Sequence, residues 1–153
     1  MFQSPATLPQ EPSTRYTLLR AQLTALMEGV TAPLSNMANM AALLYQSLPE
    51  LNWAGFYLCK GETLLLGPFQ GKPACVAIPF GKGVCGTAAA SRQAQLVPDV
   101  HAFPGHIACD GASASELVIP LMQDGQVLGV LDLDSPVPVS YTHLRAHETR
   151  RHL

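Results

Sequence analysis

The stretch SELVIPLMQDGQVLGVLDLDS, residues 115–135, contains two aliphatic runs joined around Asp124-Gly125. Asp-Gly between apolar runs is the strongest hairpin signal in the chain, because both turn residues must take positive φ and these two tolerate it. It predicts two antiparallel strands, 115–122 and 126–135. Upstream, NWAGFYLCK (52–60), ETLLLGPF (62–69) and ACVAIPF (74–80) are short aromatic and aliphatic runs punctuated by Gly and Pro, and they read as further strands. AQLVPDV (94–100) reads as a brief strand whose proline places it at an edge.

Before residue 50 the period is helical. STRYTLLRAQLTALME (13–28) carries Leu18, Leu19, Leu23, Leu26 and Met27 on one face, with Ser13 or Thr14 as N-cap and Gly29 as terminator. A second helix is predicted from about Ser35 to Ser47, with Met37, Met40, Ala41, Leu44 and Tyr45 inward and Pro49 stopping it. VCGTAAASR (84–92) reads as a short helix. Helices first and antiparallel strands after make an α+β fold: a central antiparallel sheet with the N-terminal helices packed on one face.

The chain of 153 residues is one domain's worth, and with 48% apolar and 13% charged residues it has a globular composition. A net charge of -2 argues against nucleic acid as the main partner. The N-terminus shows no export signal, and no run of 18 apolar residues suggests a membrane span. The cytoplasm is the expected compartment, where Cys59, Cys75, Cys85 and Cys109 would be reduced, catalytic or metal-binding rather than a disulfide framework.

Three chemistries compete for these residues. GKGVCG, residues 81–86, satisfies G-x-G-x-x-G, but the chain lacks the βαβ alternation of a dinucleotide fold, so a tight turn with close backbone approach is expected instead. Cys75, Cys85, Cys109, His101 and His106 include the ligand types zinc prefers, yet the cysteines stand ten and twenty-four residues apart, and no metal is expected from that spacing. Thiol redox chemistry asks only for proximity in space: Cys109 lies in the small-residue segment GHIACDGASASE, open to a substrate, and Cys75 on a predicted strand that would hold it steady. Cys59 reads as a small buried hydrophobe.

Carboxylates complete the set. Glu116 opens one strand of the hairpin, and Asp132 and Asp134, two apart in LDLDS, share one face of the other. Two acids on an apolar strand repel unless a cation or donor lies between them, so either a bound ammonium group or simple solvation at the strand end accounts for them.

On these residues the chain resembles the free methionine-(R)-sulfoxide reductases, small enzymes built on a GAF domain. NWAGFYL, LGPFQGKPACVAIPFGKGVCGTA, DVHAFPGHIACDGASASELVIPL and GVLDLDS carry the resemblance, from residue 52 to about 135. It implies a GAF-like fold, Cys109 as nucleophile, Cys75 as its disulfide partner and Cys85 as an alternative resolving cysteine. It further implies substrate binding by Glu116, Asp132 and Asp134 with Trp53 and Tyr57 lining the pocket, and Glu116 as the acid. The implied activity is reduction of free L-methionine-(R)-sulfoxide without a bound cofactor or metal, thioredoxin and NADPH serving as the external reducing system. A homodimer is compatible with it. The competing function is a GAF module that binds a small ligand without turnover.

Past Ser135 the resemblance stops. The family would continue into a C-terminal helix paired with the N-terminal one, whereas PVPVSYTHLRAHETRRHL (136–153) shows no amphipathic period and reads as a foreign tail. A catalytic domain of residues 1–135 and an atypical tail of 136–153 are therefore expected. Losing the helix would leave apolar surface around Leu19, Leu23 and Leu26 exposed at about 25 cal/mol per Å², which predicts marginal stability.

Overall fold

The computed structural model describes residues 11–48, 50–105 and 113–138. Among them, helices α1 (Pro12–Met27), α2 (Pro33–Ser47) and α3 (Gly83–Ser91) accompany strands β1 (Trp53–Lys60), β2 (Thr63–Gly71), β3 (Ala77–Pro79), β4 (Gln95–Val97), β5 (Ser115–Gln123) and β6 (Gln126–Ser135). The strands form one sheet in the order β3-β2-β1-β6-β5-β4, every pair antiparallel. The hairpin forms at Asp124-Gly125, both at positive φ, and β4 lies on the edge and ends just before Pro98.

Each face of the sheet has its own core. Leu19, Leu43, Leu44, Ala54, Leu117 and Leu133 bury α1 and α2 against one face. On the other, α3 brings Val84, Cys85, Ala88 and Ala89 against Trp53, Tyr57, Val118 and Val130. Strand alternation separates the two: on β6, Leu131 and Leu133 point to the helical pair while Val130 and Asp132 point to α3.

Several local expectations are corrected. Glu11, not Ser13 or Thr14, caps α1: its carboxylate accepts from the Ser13 and Thr14 amides, and Pro12 fills the first helical position. The Ser13 and Thr14 hydroxyls donate to the same carboxylate at 2.6 Å, and they, followed by the two amides, hold the Glu11 carboxyl down at about 2. Helix α2 starts two residues early, at Pro33; Tyr45 is 38% exposed, and Leu43 is buried in its place. The strand expected over 74–80 shrinks to Ala77–Pro79, which leaves Cys75 in the irregular link from β2. Pro49 and residues 139–153, and with them the expectations of a foreign tail and a missing helix, lie outside the described residues.

The GKGVCG segment, residues 81–86, turns the chain from β3 into α3, and its last four residues begin that helix. Gly81 and Gly83 have positive φ, and a Cβ on Gly86 would lie 2.4 Å from the Pro79 carbonyl oxygen. A still closer approach occurs at Gly129, between β1 and β5, where a Cβ would lie 2.3 Å from the Tyr57 carbonyl oxygen. Gly129→Ala is therefore expected to destabilise the domain by about 1–3 kcal/mol, read as a lowered urea midpoint at constant slope.

Candidate functional site

A pocket opens on the α3 side of the sheet, where alternation on three adjacent strands delivers one side chain after another. Strand β1 contributes Trp53 and Tyr57, β5 contributes Glu116, and β6 contributes Asp132 and Asp134. Register aligns them: Trp53 and Glu116 both stand opposite Asp134, and Gly55 stands opposite Asp132. Cys85, in the first turn of α3, faces them across the pocket. All five residues expected to bind substrate are brought together, with Cys85 beside them.

Cys85 is a free, buried thiol. Its Sγ donates to Asp132 Oδ2 at 3.2 Å and lies 3.7 Å from Glu116 Oε1. Burial, and then the two carboxyls, push this thiol well above its ordinary range. Burial also raises Asp132 and Glu116, and repulsion from Asp134 and then Glu116 adds to the rise at Asp132, so both carboxyls lean toward their protonated forms. The second oxygen of Asp132, Oδ1, is buried without a hydrogen-bond partner.

The aromatic wall is braced by a residue that strand patterning did not single out. Phe69 of β2 stacks on Trp53 with ring centroids 5.2 Å apart, and Trp53 stacks on Tyr57 at 5.9 Å. The signal for it was present: Phe69 pairs with Gly55, and a Cβ on that glycine would lie 2.7 Å from the Trp53 ring. The polar ends of both pocket aromatics reach the β2–β3 link, Trp53 Nε1 donating to the Lys72 carbonyl and Tyr57 Oη to the Cys75 carbonyl, each at 3.0 Å. Cys75 is steadied by this tether rather than by a strand. It is half-buried and disulfide-bonded, next to Ala74 of the pocket lining.

The remaining candidates are dispersed. His101 is exposed on a short 3-10 turn (Val100–Ala102), its amide bonded to the Asp99 side chain. Cys59 is half-buried, free and packed against the core on the α3 side. Cys109 and His106 lie outside the described residues. The zinc set considered from sequence is thus not assembled by the described residues; the thiol and carboxylate atoms that converge within 4.8 Å belong to Cys85, Glu116 and Asp132.

Two outcomes follow from this geometry. Tyr57→Phe keeps the ring but deletes a hydrogen bond of about 0.5–1.5 kcal/mol, so dithiothreitol should reduce the Cys75 disulfide up to about tenfold faster, with the fold unchanged by circular dichroism. The raised acids have unfolded values near 3.8 and 4.5, so the folded state keeps protons that the unfolded chain has released. Stability from this source is fully present below those values and is lost as the pH climbs through the raised ones. Melting temperature should accordingly fall in the wild type as the pH is raised above those unfolded values, and Asp132→Asn should flatten that slope.

Comparison with known proteins gives the same frame. Residues 22–150 match the GAF domain family. Protein YtsP of Bacillus subtilis is 61% identical over 124 residues, which span 80% of this chain and 76% of that protein. The free methionine-R-sulfoxide reductase of Escherichia coli is 58% identical over 122 residues, 80% of this chain and 74% of that one. The X-ray structure of the Neisseria meningitidis free methionine-R-sulfoxide reductase in complex with its substrate superposes with a TM-score of 0.87 at 39% identity, covering 92% of this chain and 84% of that one. With this sheet order, this pocket and this identity, the chain belongs to the free methionine-R-sulfoxide reductase family of GAF-domain proteins.

Proposed function

We propose that this chain reduces free L-methionine-(R)-sulfoxide to L-methionine by thiol chemistry, as an oxidoreductase. The observation that carries the reading is the convergence of Trp53, Tyr57, Glu116, Asp132 and Asp134 on one pocket whose wall continues through Ala74 to a disulfide-bonded Cys75.

The Cys109 thiolate attacks the sulfoxide sulfur, and protonated Glu116 donates to the sulfoxide oxygen, making it a better leaving group. Burial raises the Glu116 carboxyl, which favours the protonated form this role requires. The methionine S–O bond breaks as the protonated oxygen passes to the Cys109 sulfur, so methionine departs as the thioether and Cys109 is left as sulfenic acid. Cys75 attacks this sulfur, releasing water and forming the Cys75–Cys109 disulfide, which thioredoxin reduces at the expense of NADPH. Cys75 suits the resolving role better than Cys85: it is already oxidised and half-buried, whereas Cys85 is a buried thiol held in its protonated form among acids.

Asp132 and Asp134 meet the α-ammonium of the free amino acid. A methionine inside a polypeptide has an amide nitrogen there, and could not neutralise them. The Trp53 indole packs on the S-methyl group, a contact of about 0.3–1.5 kcal/mol. The catalytic unit is assigned to residues 1–135, in support of which β6 ends at Ser135. The compartment is assigned as the cytoplasm, where thioredoxin keeps thiols reduced; no helix among the described residues is long and apolar enough to cross a membrane.

Thioredoxin-coupled NADPH oxidation tests the reading. Free methionine-R-sulfoxide should be turned over, whereas the S epimer and an N-acetylated sulfoxide should not. Asp134→Asn should raise KM about tenfold or more, the loss of a charge-assisted contact, with a smaller change in kcat. Activity that survives Cys109→Ser would overturn the nucleophile assignment, and ligand binding without turnover by the wild type would favour a sensor.

A further inference from the structure

We propose that Cys85, Glu116 and Asp132 form a binding site for a thiophilic divalent cation, with Zn2+ the best-matched ion. The three come from α3, β5 and β6 and are 31 and 47 residues from one another when counted from Cys85, so linear ligand spacing does not disclose them.

Distance is the first support. Tetrahedral zinc with a Zn–S bond of about 2.3 Å and Zn–O bonds of about 2.1 Å places sulfur and oxygen ligands about 3.6 Å apart. Cys85 Sγ lies 3.2 Å from Asp132 Oδ2 and 3.7 Å from Glu116 Oε1, and all three ligand atoms fall within 4.8 Å of one another.

The second support is an unpaired atom. Asp132 is only 5% exposed, lines the pocket, and leaves Oδ1 buried without a hydrogen-bond partner. Such an atom is costly in a protein interior unless a donor or cation meets it. Lys82, the cationic side chain of the pocket lining, is exposed. Among the described residues, three ligands that all line one pocket match the protein side of an accessible zinc site. On binding, the Cys85 S–H bond gives way to an S–metal bond and the proton leaves to solvent; no electron is transferred.

Cobalt(II), which takes zinc's place and absorbs visibly, supplies the test. The whole chain is used without reductant, so that Cys75 stays in its disulfide, and Co2+ is titrated while thiolate-to-cobalt charge transfer is followed by absorption. One equivalent should bind with a charge-transfer band and tetrahedral visible bands, and one equivalent of Zn2+ should abolish both. Cys85→Ser should remove the charge-transfer band, Asp132→Asn should weaken binding at least about tenfold, and Cys59→Ser should leave the spectrum unchanged, with circular dichroism verifying the fold of each. Absence of the band in folded wild type, or its survival in Cys85→Ser, would overturn the site. The site is defined by its three ligands and not by the reaction, so a missing cobalt signal leaves the reductase reading intact, and an inactive enzyme leaves the cobalt result interpretable.

Discussion

The antiparallel pairing of β1 with β6 is the constraint on which the rest depends. It joins the block β3-β2-β1 to the block β6-β5-β4, so one ladder holds the sheet together at its centre. The same ladder sets Trp53 opposite Asp134 and Gly55 opposite Asp132. A slip of one residue would turn Asp132 and Asp134 into the leucine-rich core under α1 and α2, at prohibitive desolvation cost. Register and site are therefore the same fact. Gly55 shows the coupling at atomic scale: only a residue without a Cβ lets the Trp53 ring lie over the strand and reach Phe69 on one side and Tyr57 on the other.

Much of this was legible because periodicity and turn chemistry act locally. The hairpin at Asp124-Gly125 formed with the strands its pattern required, and Gly129 sits in it without a Cβ because Tyr57 of β1 leaves no room. The fold class followed from helices preceding strands, and the common face of Asp132 and Asp134 from a spacing of two. Glu116 joined them only through cross-strand register, and resemblance rather than pattern linked it to the aromatics.

What was not legible depended on long-range partners. ACVAIPF has the composition of a strand, yet its first three residues leave the ladder, and Cys75 is fixed by a tyrosine hydroxyl 18 residues earlier. Capping went to Glu11 because a carboxylate two and three residues from Ser13 and Thr14 can accept from both amides, whereas a hydroxyl at either site would shorten the helix. Tyr45 fits the helical stripe as well as Leu43 does; which of them is buried is decided by where the sheet lies. Cys85 is the clearest case. Its segment reads as a turn and a short helix, and nothing local says that the helix delivers a thiol onto two carboxyls from other strands.

Stability and function pull against each other at those three groups. An apolar cluster of the same size would bury more comfortably, since each of the three favours its neutral form in this dry setting and Asp132 still has an unmatched oxygen. Whatever enters the pocket with positive charge, an ammonium group or a metal ion, offsets the desolvation of these acids and relieves the repulsion among Asp132, Asp134 and Glu116. Occupation then favours the folded state by mass action, most strongly at the higher pH where the empty protein is weakest. The same desolvation that weakens the empty domain makes the pocket selective for a cation over a neutral amide, because only the charged group restores what burial took from the acids.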